Sequence, residues 1–234
     1  MSLTNDMASP MNTMSFHEDG FAVIDDLVSS LECDNLAAHV NSISQRSAGC
    51  RCLLNYDWCR DASENIRTRM TSELDFVPGS VIVQCTYFHK TAEKNWLVAW
   101  HQDRSILVDS QVESTDLTGW SRKEGMIFVH APDVILSEMF AVRLHLDNST
   151  PHNGPLRIIP GSHRNGTLST DQVEHAHKNN SEMTCLVRKG GVLVIRPLLL
   201  HASSKSNTME PRRVLHFLFG PKQLPYGLAW RRAV

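Results

Sequence analysis

No apolar stretch of this chain is long enough to cross a membrane, because the longest runs are broken by Arg196 or by turn residues. Neither charge is in real excess. Lys and Arg total 23 against 25 Asp and Glu, and the pI is about 6.6, so no basic surface advertises nucleic acid. There is no set of paired Cys-x-x-Cys knuckles: Cys50, Cys52 and Cys59 cluster without the spacing of a zinc module. Six cysteines in a chain of this size require no disulfide framework, and free thiols point to a reducing cytoplasm. No basic, apolar export signal opens the chain; residues 1–15 are polar, carry Asp6 and read as a disordered lead-in. Internal repeats and low-complexity blocks are missing too. What remains is 234 residues that are 41% hydrophobic, enough for one sizeable core and one domain over residues 16–234.

Helical signals fall in the first third. Ser29 and Glu32 have the spacing of a capping box, and Leu36, Ala37, Val40 and Ile43 form an apolar stripe behind it. Residues 61–74 make a second helical candidate, ended by Val77-Pro78-Gly79-Ser80. Strands dominate afterwards, over residues 81–88, 96–101, 126–130, 140–147, 155–160, 192–195 and 213–219. Many short strands punctuated by Gly, Pro and Asn, with helices flanking them, predict a mostly β chain built on a jelly-roll, the double-stranded β-helix of cupin-like proteins. Residues 104–125 have weak periodicity and read as a lid or substrate loop.

The chemistry concentrates at His101-Gln102-Asp103. In a strand, alternate side chains share a face, so His101 and Asp103 point the same way. Trp96-Leu97-Val98-Ala99-Trp100 leads into His101, and Leu198-Leu199-Leu200 leads into His201, so both histidines end apolar runs. Two imidazoles and one carboxylate are the facial ligand set of mononuclear non-haem Fe(II), and they leave three positions for a bidentate 2-oxo acid and O2. Arg212 lies eleven residues beyond His201. Its guanidinium suits the far carboxylate of 2-oxoglutarate through paired hydrogen bonds.

Together with Asn153-Gly154-Pro155-Leu156-Arg157-Ile158-Ile159-Pro160-Gly161-Ser162-His163, Arg196-Pro197-Leu198-Leu199-Leu200-His201-Ala202-Ser203, the run from Arg212 to Phe217 and the opening Phe16–Val23, these motifs resemble the phytanoyl-CoA dioxygenase family in order along nearly the whole chain. The resemblance implies an Fe(II)- and 2-oxoglutarate-dependent dioxygenase that hydroxylates a small molecule and releases succinate and CO2. It also implies places in the cosubstrate pocket for Ser203, two residues after the distal histidine, and for Gln102 and Trp120. Substrate identity and oligomeric state are not legible.

Other polar residues have blander readings. Arg213 lies on the strand face opposite Arg212 and suits a surface ion pair. His163 ends a tight turn. Arg143 and His145 fit the barrel mouth or a buried hydrogen-bonded pair equally well, and His216 fits the neighbourhood of the 2-oxoglutarate pocket or a packed histidine. His17, His39, His130, His175 and His177 read as surface groups; Lys90, Lys94, Asn95 and Trp96 precede the His101 strand, where solvated strand-end lysines are favoured over an active-site rim. A non-oxidative cupin-like isomerase, hydrolase or binding module would keep His101, Asp103 and His201 but has no need for Arg212. A halogenase is disfavoured, since Asp103 fills the position a halide would take.

Overall fold

The computed structural model describes residues 13–43 and 49–234. Of the lead-in expected over residues 1–15, the first twelve lie outside the described residues, and the last three begin helix α1 (Thr13–Asp19). Gly20, at φ 79°, turns the chain into strand β1 (Phe21–Ile24). A Cβ there would meet the His163 ring at 2.3 Å, so the turn requires glycine. His163 in turn donates from Nε2 to the His17 carbonyl at 3.1 Å, a structural role.

Helix α2 (Ser30–Ile43) starts at the expected capping box: Ser29 Oγ accepts from the Glu32 N–H at 3.3 Å, and the Glu32 carboxylate accepts from the Ser29 N–H at 3.0 Å. After the short strand β2 (Gly49–Cys50) comes α3 (Asp57–Glu73), which begins four residues before the expected start. Its buried stripe runs Cys59, Ser63, Ile66, Met70. Ser63 hides its polarity there by donating to the Cys59 carbonyl at 2.7 Å.

The remaining elements are β3 (Ser80–Lys90), β4 (Val98–His101), β5 (Ser105–Val108), β6 (Thr118–Lys123), β7 (Met126–His130), α4 (Asp133–Leu136), β8 (Phe140–His145), β9 (Leu156–Ile158), α5 (Thr170–Asn179), β10 (Met183–Cys185), β11 (Val192–Ile195), β12 (His201–Ser203) and β13 (Arg212–Pro221). They build a six-stranded sheet in the order β1-β11-β8-β13-β3-β2 and a four-stranded sheet in the order β10-β9-β12-β4. A three-stranded sheet, β5-β7-β6, completes the double-stranded β-helix. Residues 104–125 are thus not the single irregular loop expected from their weak periodicity. Ile106, Leu107 and Val108 are buried as β5, and β6 pairs with β7 around a Glu124-Gly125 turn in which both residues have positive φ. Helix α5 was not legible from apolar periodicity, because it buries no residue; its one signal was Ser169 and Gln172, which form a capping box.

The six-stranded sheet is covered on both faces. Tyr87, Val142, Val194 and Phe217 pack outward against Phe16, Val40, Ile66 and Met70 of the helices. Ala141, Leu193, Ile195 and Leu218 pack inward with Ile106, Leu156 and Leu199 from the smaller sheets. Two buried faces explain strands such as Val192–Ile195 that are apolar throughout. Alternation then places Arg143 and His145 of β8, and Arg212 and His216 of β13, on the inner face. Among the described residues no helix is long and apolar enough to cross a membrane. Replacing the fully buried Phe217 by Ala should cost about 3–5 kcal/mol in urea unfolding, whereas Ser169→Ala at the exposed α5 cap should cost about 1 kcal/mol. An equal loss in both would mean that the helix-side core does not dominate stability.

Candidate metal centre and its cavity

His101 ends β4 and His201 begins β12, and the two are directly opposed partners in the antiparallel pair. Their ring centroids lie 4.2 Å apart. Each Nδ1 lies 2.9 Å from the carbonyl two residues upstream, Ala99 for His101 and Leu199 for His201. A carbonyl can only accept, so each Nδ1 carries a proton, and Nε2 is the ring atom left to face a metal. Those Nε2 atoms face Asp103, at 3.5 Å from His101 to Oδ1 and 3.6 Å from His201 to Oδ2. The Asp103 backbone, tied by its N–H to the Pro197 carbonyl at 2.8 Å, holds the carboxylate in place. One donor atom from each of the three residues lies within 4.8 Å of the other two.

The electrostatics suit a cation between them. Burial alone would raise Asp103, but His201, His101 and His216 outweigh it and hold the carboxyl well below its usual range. Burial lowers His201 to about 4 against the pull of Asp103, so its imidazole is neutral at pH 7. His101 moves the other way: burial lowers it, but its hydrogen bond to Asp103 and the Asp103 charge prevail. The difference follows exposure, since the His201 side chain is 3% exposed and that of His101 39%, open toward the cavity. Once a cation takes the place of the proton that Asp103 favours on His101, two imidazole nitrogens and one hard anionic oxygen make a donor set that fits Fe(II).

Asp103 and His101 border two compartments. The smaller, about 90 Å³, is lined by Lys90, Arg143, Ser203 and Arg212 together with Phe88 and Trp96. Lys90 is 1% exposed, Arg212 5% and Arg143 6%. Lys90 is therefore no solvated strand-end lysine. Its Nζ donates to Ser203 Oγ at 2.8 Å and to the Ser204 carbonyl at 2.6 Å, and it lies over the Trp96 ring at 5.2 Å. Sequence reasoning missed it because exposure at a strand end depends on which strand lies opposite. Lys90 is the register partner of Arg212, and the pairing carries both into the interior. Gly154, at φ 68°, makes room: a Cβ there would lie 3.0 Å from Lys90 Nζ and 2.5 Å from the Ser204 carbonyl.

Ser203 donates to the Gly154 carbonyl at 2.9 Å, and Arg212 donates from Nε to the Asn153 carbonyl at 3.3 Å. Asp103 is the one acid among the lining residues. Burial, then Arg212 and Arg143, lowers Lys90 to about 8; burial, then Arg143, lowers Arg212 to about 9. Buried cations without counter-charges are costly, and a dianionic guest relieves them.

The larger compartment, about 340 Å³, opens on the other side of Asp103 between the six-stranded sheet and the β5-β7-β6 sheet. Gln102 borders it, but its amide is already engaged: Nε2 donates to the Gly166 and Leu198 carbonyls at 2.8 and 2.7 Å, and Oε1 accepts from the Leu168 N–H at 2.8 Å. Gln102 thus anchors the loop into α5. Trp120 lines neither compartment. It sits half-buried on β6 against the inner core, because that segment is a strand with its own register rather than a loop folded over the site. Arg143 meets His216 Nδ1 at 2.9 Å, a packed polar pair, and burial, then Arg143, lowers His216 to about 3. His145 is buried with both ring nitrogens unpartnered. Arg213, on the outer face, makes a bidentate pair with Asp147 at 2.8 and 2.7 Å. A second group, Cys50, Cys52 and Glu124, also brings donor atoms within 4.8 Å of one another, away from this centre.

A family profile described as phytanoyl-CoA dioxygenase (PhyH) matches residues 16–214. No curated protein matches the sequence. Among solved structures, HygX from Streptomyces hygroscopicus with nickel and 2-oxoglutarate bound is 18% identical, with a TM-score of 0.61 over 94% of this chain and 87% of that one. EctD from S. alaskensis with 2-oxoglutarate and 5-hydroxyectoine is 18% identical, with a TM-score of 0.66 over 94% and 79%. SnoK, a non-heme alpha ketoglutarate dependent carbocyclase from nogalamycin biosynthesis, is 12% identical, with a TM-score of 0.64 over 89% and 82%. At these identities the likeness is one of fold.

The Lys90 environment predicts a pH dependence. Folding depresses its pKa from 10.5 to about 8, so between those values the unfolded chain binds more protons than the folded one. The ligand-free protein should therefore gain stability as pH rises from about 8 toward 10.5, and Lys90→Met should flatten that rise. Urea unfolding of both proteins across this range measures it; identical slopes would show that Lys90 is not held charged in a desolvated pocket.

Proposed function

The chain belongs to the phytanoyl-CoA dioxygenase family of Fe(II)- and 2-oxoglutarate-dependent oxygenases, and we propose that this member hydroxylates a small-molecule metabolite. The observation that carries the reading is the convergence of His101, Asp103 and His201 beside a compartment lined by buried Lys90 and Arg212. Residues 16–234 are taken as one dioxygenase domain, acting in the cytoplasm, where the six free cysteines stay reduced.

In this reading His101, Asp103 and His201 hold Fe(II), with the Ala99 and Leu199 carbonyls fixing the histidine tautomers. Bound there with 2-oxoglutarate, the iron supplies the activation of O2 that releases succinate and CO2 and oxidises a substrate C–H bond. The chain does the rest. Arg212 neutralises the far carboxylate of 2-oxoglutarate, and Lys90 adds a second cation while holding the Ser203 hydroxyl in place. Phe88, Trp96 and Leu156 keep water from that compartment. Gln102 and Trp120 contribute through packing and loop anchoring rather than by touching the cosubstrate. The non-oxidative cupin-like alternative leaves the buried cations without a purpose.

His201→Ala should lose most Fe(II) binding and all 2-oxoglutarate turnover to succinate; stoichiometric iron with full activity in that variant would sink the ligand assignment. Arg212→Ala should weaken 2-oxoglutarate by roughly 2–5 kcal/mol, about a 30-fold to several-thousand-fold rise in Kd. Arg213→Ala should leave it near wild type, because Arg213 faces outward to Asp147. Anaerobic titration with Fe(II) distinguishes the two, and a larger loss in the Arg213 variant would overturn the assignment.

A further inference from the structure

The larger compartment carries more than its neighbourhood to the metal centre. Arg51, Arg104 and Lys123 all line it, and the only acid among its lining residues is Asp103, already committed to the metal centre. Arg51 is held by Glu124, through its backbone N–H at 3.2 Å and its Nη1 at 2.6 Å. Arg104 and Lys123 have no ion-pair partner among the described residues, and Arg104 Nε is buried without a hydrogen bond. Three separate elements bring these cations together. Arg104 immediately follows the His101–Asp103 segment, Lys123 ends β6 at the tight Glu124-Gly125 turn, and Arg51 follows β2. Arg104 and Lys123 also share a neighbour, since both act on His130, whose proton affinity is lowered by burial and then by these two charges. The rest of the lining is largely apolar, with Ile106, Phe128, Leu136 and Met139, and Lys123 Nζ lies over the Phe128 ring at 5.2 Å. At about 340 Å³ the space is at the small end of the ~300–1,000 Å³ typical of ligand pockets.

We infer that the substrate is a compact molecule with an apolar body and an anionic oxyacid group, a carboxylate or a phosphate, and that Arg104 and Lys123 hold this anion at the cavity mouth. This rests on the oxygenase reading above, in which Asp103 marks the reacting end. The anion then docks on the side of the cavity formed by Arg104 and the β6–β7 turn, and the carbon skeleton lies along Phe128 and Met139 toward the metal centre. The same pocket disfavours an amine-bearing substrate, because no lining carboxylate other than Asp103 is available to meet a positive charge.

The test uses the Fe(II)-loaded protein under anaerobic conditions with saturating 2-oxoglutarate, whose chelate has a visible charge-transfer band. Benzoate, phenyl phosphate and neutral benzamide are titrated in parallel. The expected result is that one or both anions shift the band and benzamide does not; the benzoate and phenyl phosphate arms identify which oxyacid is preferred. Arg104→Gln and Lys123→Gln, checked for folding by circular dichroism, should each weaken the anion about 10- to 100-fold, the worth of one charge-assisted hydrogen bond. Three outcomes overturn the proposal: no shift with either anion, benzamide binding as tightly as benzoate, or bleaching of the band, which marks displacement of the cosubstrate. If the wild-type protein forms no band at all with Fe(II) and 2-oxoglutarate, the oxygenase reading itself fails, and that result is distinct from the others.

Discussion

The pairing of β4 with β12 sets the position of everything at the centre of this molecule. It opposes His101 to His201 across an antiparallel ladder, and a slip of one residue would turn one ring to the other side of the sheet. Neighbouring structure leaves little room for such a slip. Ser203 is bonded to the Gly154 carbonyl, β9 pairs with the other edge of β12, and the Asp103 N–H is fixed on the Pro197 carbonyl. Each of these ties is short and buried or part-buried. The two histidines are thus opposed by backbone hydrogen bonding in the four-stranded sheet, and Asp103, just past the end of β4, is brought to them by its tie to Pro197.

A second ladder, β13 with β3, does for the cations what the first does for the histidines. It sets Arg212 opposite Lys90, and the covered inner face of the sheet then buries both. With Arg143, three cations share one small compartment, repel one another and are denied water, so the ligand-free site opposes folding locally. The helix-backed core on the other face of the same sheet, with Tyr87, Phe217 and Met70 fully buried, offsets that cost. Function and stability are thereby assigned to opposite faces of the same strands. Arg213 illustrates the division: one residue from Arg212, it faces outward and closes a pair with Asp147.

The features legible in the sequence were those carried by local pattern. The helix stripe behind Ser29, the all-apolar strands and the His-x-Asp spacing each follow from side-chain period and residue type within a few positions. The β5 and β6 strands were harder, because Ser105–Val108 is only four residues long and β6 carries Ser121, Arg122 and Lys123 on an exposed edge. Lys90 was misjudged for a related reason: its burial is decided by a partner strand more than a hundred residues away. Gln102 stands out in the sequence only by its place between two candidate ligands. Its hydrogen bonds to Gly166, Leu168 and Leu198 are long-range and have no sequence signature.

Those Gln102 bonds also decide how the cavity is braced. They tie the segment between His101 and Asp103 to the chain entering α5 and to the turn before β12, so three stretches far apart in sequence form one braced wall. The opposite side is differently attached. The β6–β7 hairpin reaches the rest of the molecule through β5, the Arg51–Glu124 pair and core packing, and β5 adds an isolated bridge from Val108 to Trp230. The larger compartment thus lies between a wall cross-tied by the Gln102 amide and a wall held through β5, one ion pair and apolar packing. The geometry around Asp103 belongs to the first of these walls, so the bonds that brace the chain into α5 also brace the carboxylate between the two histidines.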